Sequence, residues 1–145
     1  MRSINIRKPV LIGVKYLLIS FIFMILFYPV LTFFDLEPEP YIWPELTLSW
    51  FCIVVIISPI IEEVAFRFLP ITIVKRWTKN RMVLWLTIIL VSGIFGYMHG
   101  SWLNMLTQGI VGLWFSAAFL KGGLISSVTT HILYNGLAFA IAYWK

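Results

Sequence analysis

Long apolar runs, separated by short charged or proline-rich stretches, set the pattern of this chain. A membrane-spanning helix needs about 20 mostly apolar residues in succession. By that measure the pattern predicts five spans. The first runs from about Val10 to Phe34 behind Arg2, Arg7 and Lys8, with Lys15 near enough to the end to snorkel to the headgroups. Its basic flank resembles that of a signal peptide, but the apolar stretch is too long and no small-residue cleavage site follows. An acidic connector, Asp35 to Glu45, comes next. Pro38, Pro40 and Pro44 forbid a regular helix there, and Tyr41 and Trp43 suit an interface. The second apolar stretch, about Leu46 to Val74, exceeds one straight crossing, so Pro59 and Pro70 are expected to break or kink it. The third span covers about Met82 to Met98. The fourth, about Trp102 to Leu120, is closed by Lys121-Gly122-Gly123, and the fifth runs from about Leu124 to Trp144.

Composition changes this from a pattern into a class. The 145 residues are 61% hydrophobic and 12% charged, and the mean hydropathy is +0.94. A soluble domain carries roughly 25% charged residues. A disordered chain, a soluble enzyme and a disulfide scaffold are excluded. What is left is one all-α integral membrane protein, a single bundle over residues 1–145 without internal repeats or low-complexity segments. The single Cys52 has no internal partner and reads as a small buried hydrophobe. Gly109 and Gly112 are expected to let helices approach closely. Trp77, Trp102 and Trp144, like Trp43, are expected at interfaces.

The net charge of +5 is distributed by side. Arg2, Arg7, Lys8, Lys15, Lys75, Arg76, Lys79, Arg81 and Lys121 fall on one side of the five spans. Asp35, Glu37, Glu39 and Glu45 fall on the other. The positive-inside rule then places the N-terminus in the cytoplasm and the acidic connector outside. The 75–81 cluster reads as a topology signal with affinity for anionic lipids. A nucleic-acid binder needs a solvated basic surface, which this chain lacks. The expected partners are membrane lipids and a membrane-associated peptide or protein. A plasma-membrane location follows if the source is prokaryotic. The oligomeric state is not legible.

Ionisable residues inside the spans are few: Glu62, Glu63 and Arg67 in the second, His99 at the end of the third, and His131 in the fifth, with Asn135 as a polar neighbour. A charged residue near the bilayer centre costs at least about 2–3 kcal/mol, so such residues face the protein interior, pair, and serve function. Glu63 and Arg67 are four apart and share a helix face, as do His131 and Asn135. Glu62 points about 100° away from Glu63. One carboxylate can therefore be held by Arg67 while the other faces a cavity. At about 1.5 Å per residue, Glu62 lies roughly 20 Å from Lys75, His131 roughly 15 Å and Asn135 roughly 21 Å from Lys121, and His99 roughly 27 Å from Arg81. These depths allow all four to meet in one layer. Pro59 opens space beside the carboxylates. A glutamate, two histidines and an asparagine suit amide hydrolysis without a covalent intermediate: a carboxylate with an imidazole takes a proton from water, and side-chain N–H groups hold the oxyanion.

Three motifs carry a resemblance. Glu62-Glu63-Val-Ala-Phe-Arg67 fits EExxxR, Phe95-Gly-Tyr-Met-His99 fits FxxxH, and His131-Ile-Leu-Tyr-Asn135 fits HxxxN. In this order, on successive apolar segments, they resemble the CAAX-protease and bacteriocin-processing (CPBP, or Abi) family of intramembrane glutamate proteases, which includes the Rce1-type prenyl endopeptidases. The likeness covers about Ser58 to Asn135, within a motif core of about 46–144. It implies a helical-bundle endopeptidase that needs no metal or other cofactor, with Glu62 and His99 activating water. It also implies His131 and Asn135 as the oxyanion site, and Glu63 and Arg67 as support for Glu62. Members act on prenylated CAAX tails, process peptides or confer bacteriocin immunity.

Other readings compete. Glu62, Glu63 and Arg67 could form a structural ion-pair cluster, which leaves both histidines unexplained. A rhomboid-type serine site needs Gly-x-Ser-Gly, and Leu90-Val91-Ser92-Gly93 lacks the first glycine. An aspartyl site needs two membrane aspartates, and Asp35 is the only aspartate. A His-Glu-x-x-His zinc motif is absent, though a dispersed zinc site of Glu62, His99 and His131 is conceivable. A proton-coupled transporter would be expected to show inverted repeats. A non-catalytic immunity or partner-binding membrane protein that retains the motif cluster is the alternative function.

Overall fold

The structure is a computed structural model that describes residues 6–36 and 47–144. Most of the connector expected over Asp35–Glu45 lies outside the described residues, as does Trp43.

Four helical elements make up the described chain: α1 (Arg7–Phe33), α2 (Leu48–Trp77), α3 (Arg81–Tyr97) and α4 (Asn104–Tyr143). No strand occurs among the described residues. Three of the elements, α1, α2 and α4, are long and apolar enough to cross a membrane, and α3 is a shorter apolar helix of 17 residues. At about 1.5 Å per residue α3 is still close to the roughly 30 Å of a hydrocarbon core.

The helix ends follow local chemistry. Pro9 sits in the first turn of α1, where its missing N–H has no intrahelical use, so the helix begins at Arg7 rather than at Val10 as expected. The Thr47 hydroxyl caps α2 by accepting from Trp50 N–H, and Asn80 caps α3 by accepting from Met82 N–H at 2.8 Å. The 40-residue α4 breaks at Gly123, whose φ of 75° is left-handed backbone that glycine adopts without strain. The break falls where Lys121-Gly122-Gly123 was expected to separate two spans. It divides α4 into arms, 104–122 and 124–143, each about one crossing long.

The helix α4 packs against the other three. Two hydroxyls of its second arm reach into backbone carbonyls of α1: Ser126 Oγ donates to Pro9 O at 2.7 Å, and Thr130 Oγ1 to Gly13 O at 3.0 Å. Gly109 of the first arm lies against the buried Ser92 of α3. Large apolar side chains such as Leu11, Leu26, Met82 and Leu90 point outward, and Trp77, Trp102 and Trp144 are exposed at helix ends. The interior is the reverse. Around the apolar cluster of Phe95, Val111 and Phe115, the fully buried side chains include Arg67, Glu63 and His131. The bundle thus turns its hydrocarbon to the lipid and its ionisable groups to the centre, the arrangement a bilayer imposes.

Candidate active site

The site begins with the backbone of α2. This helix widens to π-helical turns at Cys52–Ile57 and again at Val64–Phe68. Each widened stretch leads directly to a proline. Ser58 N–H reaches Ile53 O, five residues back, just before Pro59; Leu69 N–H reaches Val64 O just before Pro70. Within a helix a proline lacks its N–H, and its ring collides with the carbonyl four residues back. One extra residue in the turn relieves that collision. So α2 runs without a break from Leu48 to Trp77, and the prolines are met by widened turns. The widened step also sets Val54 O opposite the N–H that Pro59 lacks. Asn135, from the second arm of α4, fills the gap: its Nδ2–H donates to Val54 O at 3.0 Å.

Glu62 and Glu63 stand between the two widened turns and have different surroundings. Glu63 is completely buried. Its Oε1 lies 3.3 Å from Arg67 Nη1 and accepts from His131 Nδ1–H at 3.0 Å. The guanidinium is held in turn. Its Nη2 donates to Gly112 O at 3.2 Å, and its Cζ sits 4.3 Å from the Phe95 ring centre and 5.5 Å from that of Phe115. A β-carbon at Gly112 would come within 2.6 Å of Arg67 Nη2, so the guanidinium occupies the space that glycine leaves. Glu62 keeps 27% of its side chain exposed and lines a cavity of about 380 Å³.

His131 bridges the two carboxylates. Its Nδ1 serves Glu63, and its Nε2 faces Glu62 Oε2 at 3.6 Å. With the proton on Nδ1, a neutral ring presents a bare Nε2 to the cavity; an imidazolium donates from both nitrogens, with a carboxylate on either side to balance its charge. The ring is packed between Phe115, at 4.5 Å between centres, and Phe95, at 5.6 Å.

His99 lies in the turn after α3 and reaches back to it. Its Nδ1–H donates to Phe95 O at 2.7 Å, which leaves Nε2 as the acceptor in a neutral ring. Asn104 fixes the turn: its Nδ2–H donates to His99 O at 2.7 Å, and its Oδ1 accepts from Ser101 Oγ at 3.2 Å.

Glu62, His99, His131 and Asn135 therefore line one cavity, while Glu63 and Arg67 are buried behind His131 and do not. Ser92 is buried between helices and does not line it either. Among the described residues no group of three His, Cys, Asp or Glu is placed to hold a metal ion. Sequence reasoning missed Asn104 and Phe115, and it read Gly112 as a packing residue without its contact to Arg67. Each acts through a tertiary contact, and no local spacing marks it.

These residues lie on an all-α membrane bundle with a charged interior, and the family comparison agrees with that architecture. The family model for type II CAAX prenyl endopeptidases, Rce1-like, matches residues 44–137, a stretch that contains all three motifs. This chain belongs to that Rce1-like family of endopeptidases. No curated protein and no solved structure matches it significantly.

Proposed function

We propose that this protein is a metal-independent intramembrane endopeptidase in which Glu62 and His99 activate water. The observation that carries the reading is the division of labour between adjacent carboxylates. Arg67 and His131 Nδ1 both engage Glu63 Oε1, while Glu62 remains open to the cavity beside two imidazole rings.

In the proposed reaction, water in the cavity gives a proton to Glu62, with His99 Nε2 orienting it. The hydroxide attacks the carbonyl carbon of the scissile amide. His131 Nε2–H, in the imidazolium form, and the second N–H of Asn135, which Val54 does not use, donate to the oxyanion. Glu62 returns its proton to the leaving nitrogen. The C–N bond breaks, giving a carboxylic acid and an amine, which become carboxylate and ammonium by proton exchange, with no covalent enzyme intermediate. Glu63 and Arg67 are positioning residues that hold His131.

The substrate is a membrane-associated peptide or protein segment, of the CAAX type or of the peptide-processing kind, and the setting is the plasma membrane of a prokaryote. The test is cleavage by membranes carrying Glu62→Ala, His99→Ala or His131→Ala. Each should lose cleavage and keep its abundance in the membrane, and EDTA should have little effect. Retained cleavage in all three variants, or an EDTA loss reversed by zinc, contradicts the reading.

A further inference from the structure

The cavity occupies one end of the bundle. Glu62 lies about halfway along α2, roughly 21 Å from either end at about 1.5 Å per residue, and with Phe95, Phe115 and His131 it forms the floor. Every other contribution comes from the same side of that layer. Among the described residues the first helix lines the cavity only through Met24 and Tyr28, in its second half, and α2 only through its first half, from Trp50 on. His99 and Asn104 stand at the α3–α4 turn, and Ala138 near the end of α4.

The opposite ends of the same helices hold the basic residues. Arg7 and Lys8 start α1, Lys75 and Arg76 end α2, Arg81 starts α3, and Lys121 stands at the break in α4. The sequence that joins the cavity-side ends of α1 and α2 carries Asp35, Glu37, Glu39 and Glu45 and no base. Basic ends stay in the cytoplasm.

From this opposition we infer that the cavity opens to the non-cytoplasmic face, and that its substrate is an apolar peptide segment presented from that face, not a cytosolic tail. The substrate half of the inference rests on the endopeptidase reading; the orientation does not. The lining suits such a segment. Met24, Tyr28, Trp50, Ile53 and Phe115 offer apolar and aromatic surface, and among the described residues Glu62 is the one acidic side chain that lines the cavity. Among the described residues no lysine or arginine lines it; its basic side chains are His99 and His131. A stretch of chain held by its apolar side chains, with a scissile bond inside it, fits this lining.

The test is thiol accessibility in a Cys52→Ala background. Single cysteines are placed in the cavity (Met24→Cys, Ala138→Cys) and on the basic side (Lys79→Cys), and a membrane-impermeant methanethiosulfonate is applied to intact cells and to inverted vesicles. The cavity positions should be labelled in intact cells, and Lys79→Cys only after inversion. Two positions guard against one variant failing to assemble. The reverse pattern, or no labelling of either cavity position from outside while Lys79→Cys behaves as expected, overturns the inference. Labelling does not depend on turnover. Correct labelling without cleavage therefore refutes only the endopeptidase reading, and cleavage with reversed labelling refutes only the orientation. Under the inference, peptide termini lost with Glu62→Gln map to exported or outward-facing segments; termini confined to cytosolic proteins contradict it.

Discussion

The side-chain amide of Asn135 donates to Val54 O at 3.0 Å, taking up the carbonyl that the widened turn before Pro59 leaves without its backbone partner. One residue of the HxxxN motif is thus bound to the backbone of the helix that carries EExxxR. The bond fixes how far the second arm of α4 stands from Glu62, and it leaves one amide N–H for the cavity.

A double-mutant cycle tests that link. Asn135→Ala should destabilise the protein by about 1–2 kcal/mol, the cost of a buried acceptor left unpaired. In a Pro59→Ala background the backbone regains an N–H, and the same change should cost less. Thermal unfolding in detergent of the four proteins should give a coupling above about 0.5 kcal/mol. Strict additivity would show that Asn135 and the proline act independently.

Adjacent glutamates should fail in different ways. Removing one partner of a buried ion pair costs about 3–5 kcal/mol, so Glu63→Gln should lower the melting temperature sharply. Glu62 is partly open to the cavity and is not hydrogen-bonded to Arg67. Glu62→Gln should leave the melting temperature nearly unchanged and abolish cleavage. Equal destabilisation by both changes would mean that the pair is a structural cluster.

Gly112 is expected to be sensitive for a steric reason. A methyl group there meets Arg67 Nη2 at 2.6 Å and Phe95 at 3.1 Å. Overpacking of this kind costs about 1–3 kcal/mol. Gly112→Ala should reduce stability by that amount, whereas Gly93→Ala, whose added carbon meets only the flexible end of Met105 at 3.4 Å, should not. A melting series of the two variants decides it.

Asn104 should matter to rate more than to binding. It holds the carbonyl of His99, so its loss frees the turn that orients the imidazole. Small misplacements of a catalytic group cost up to about 10²-fold in rate. Asn104→Ala should lower kcat by about 10- to 100-fold with little change in KM, and the shorter-reaching Asn104→Ser should recover part of the loss. An unchanged kcat would remove Asn104 from the positioning of His99.

Much of this was legible in the sequence because a bilayer makes it so. Lipid requires long apolar helices, and charges mark their ends, so α1, α3 and the break at Gly123 could be read from the pattern of runs. The spacing of Glu63 and Arg67 along one helix face likewise gave their pairing without tertiary knowledge. The response of α2 to its prolines was not legible. Breaking, kinking and widening all answer the same steric conflict, and the carbonyl freed by the first widened turn is taken up by Asn135 from a helix far along the chain. Depth arithmetic set His99 at the far end of its span, but its return to Phe95 O depends on the turn that Asn104 closes. The cradle of Arg67, made by Gly112, Phe95 and Phe115, is a meeting of three helices that no single periodicity contains.

The most direct test of the central claim compares peptide termini in membranes from cells carrying the wild type or Glu62→Gln at equal abundance. Mass spectrometry of new N- and C-termini should find cleavage products with the wild type that are absent with the variant. Identical sets of termini, under conditions where the gene affects the cell, would contradict proteolysis and favour a non-catalytic immunity or partner-binding role.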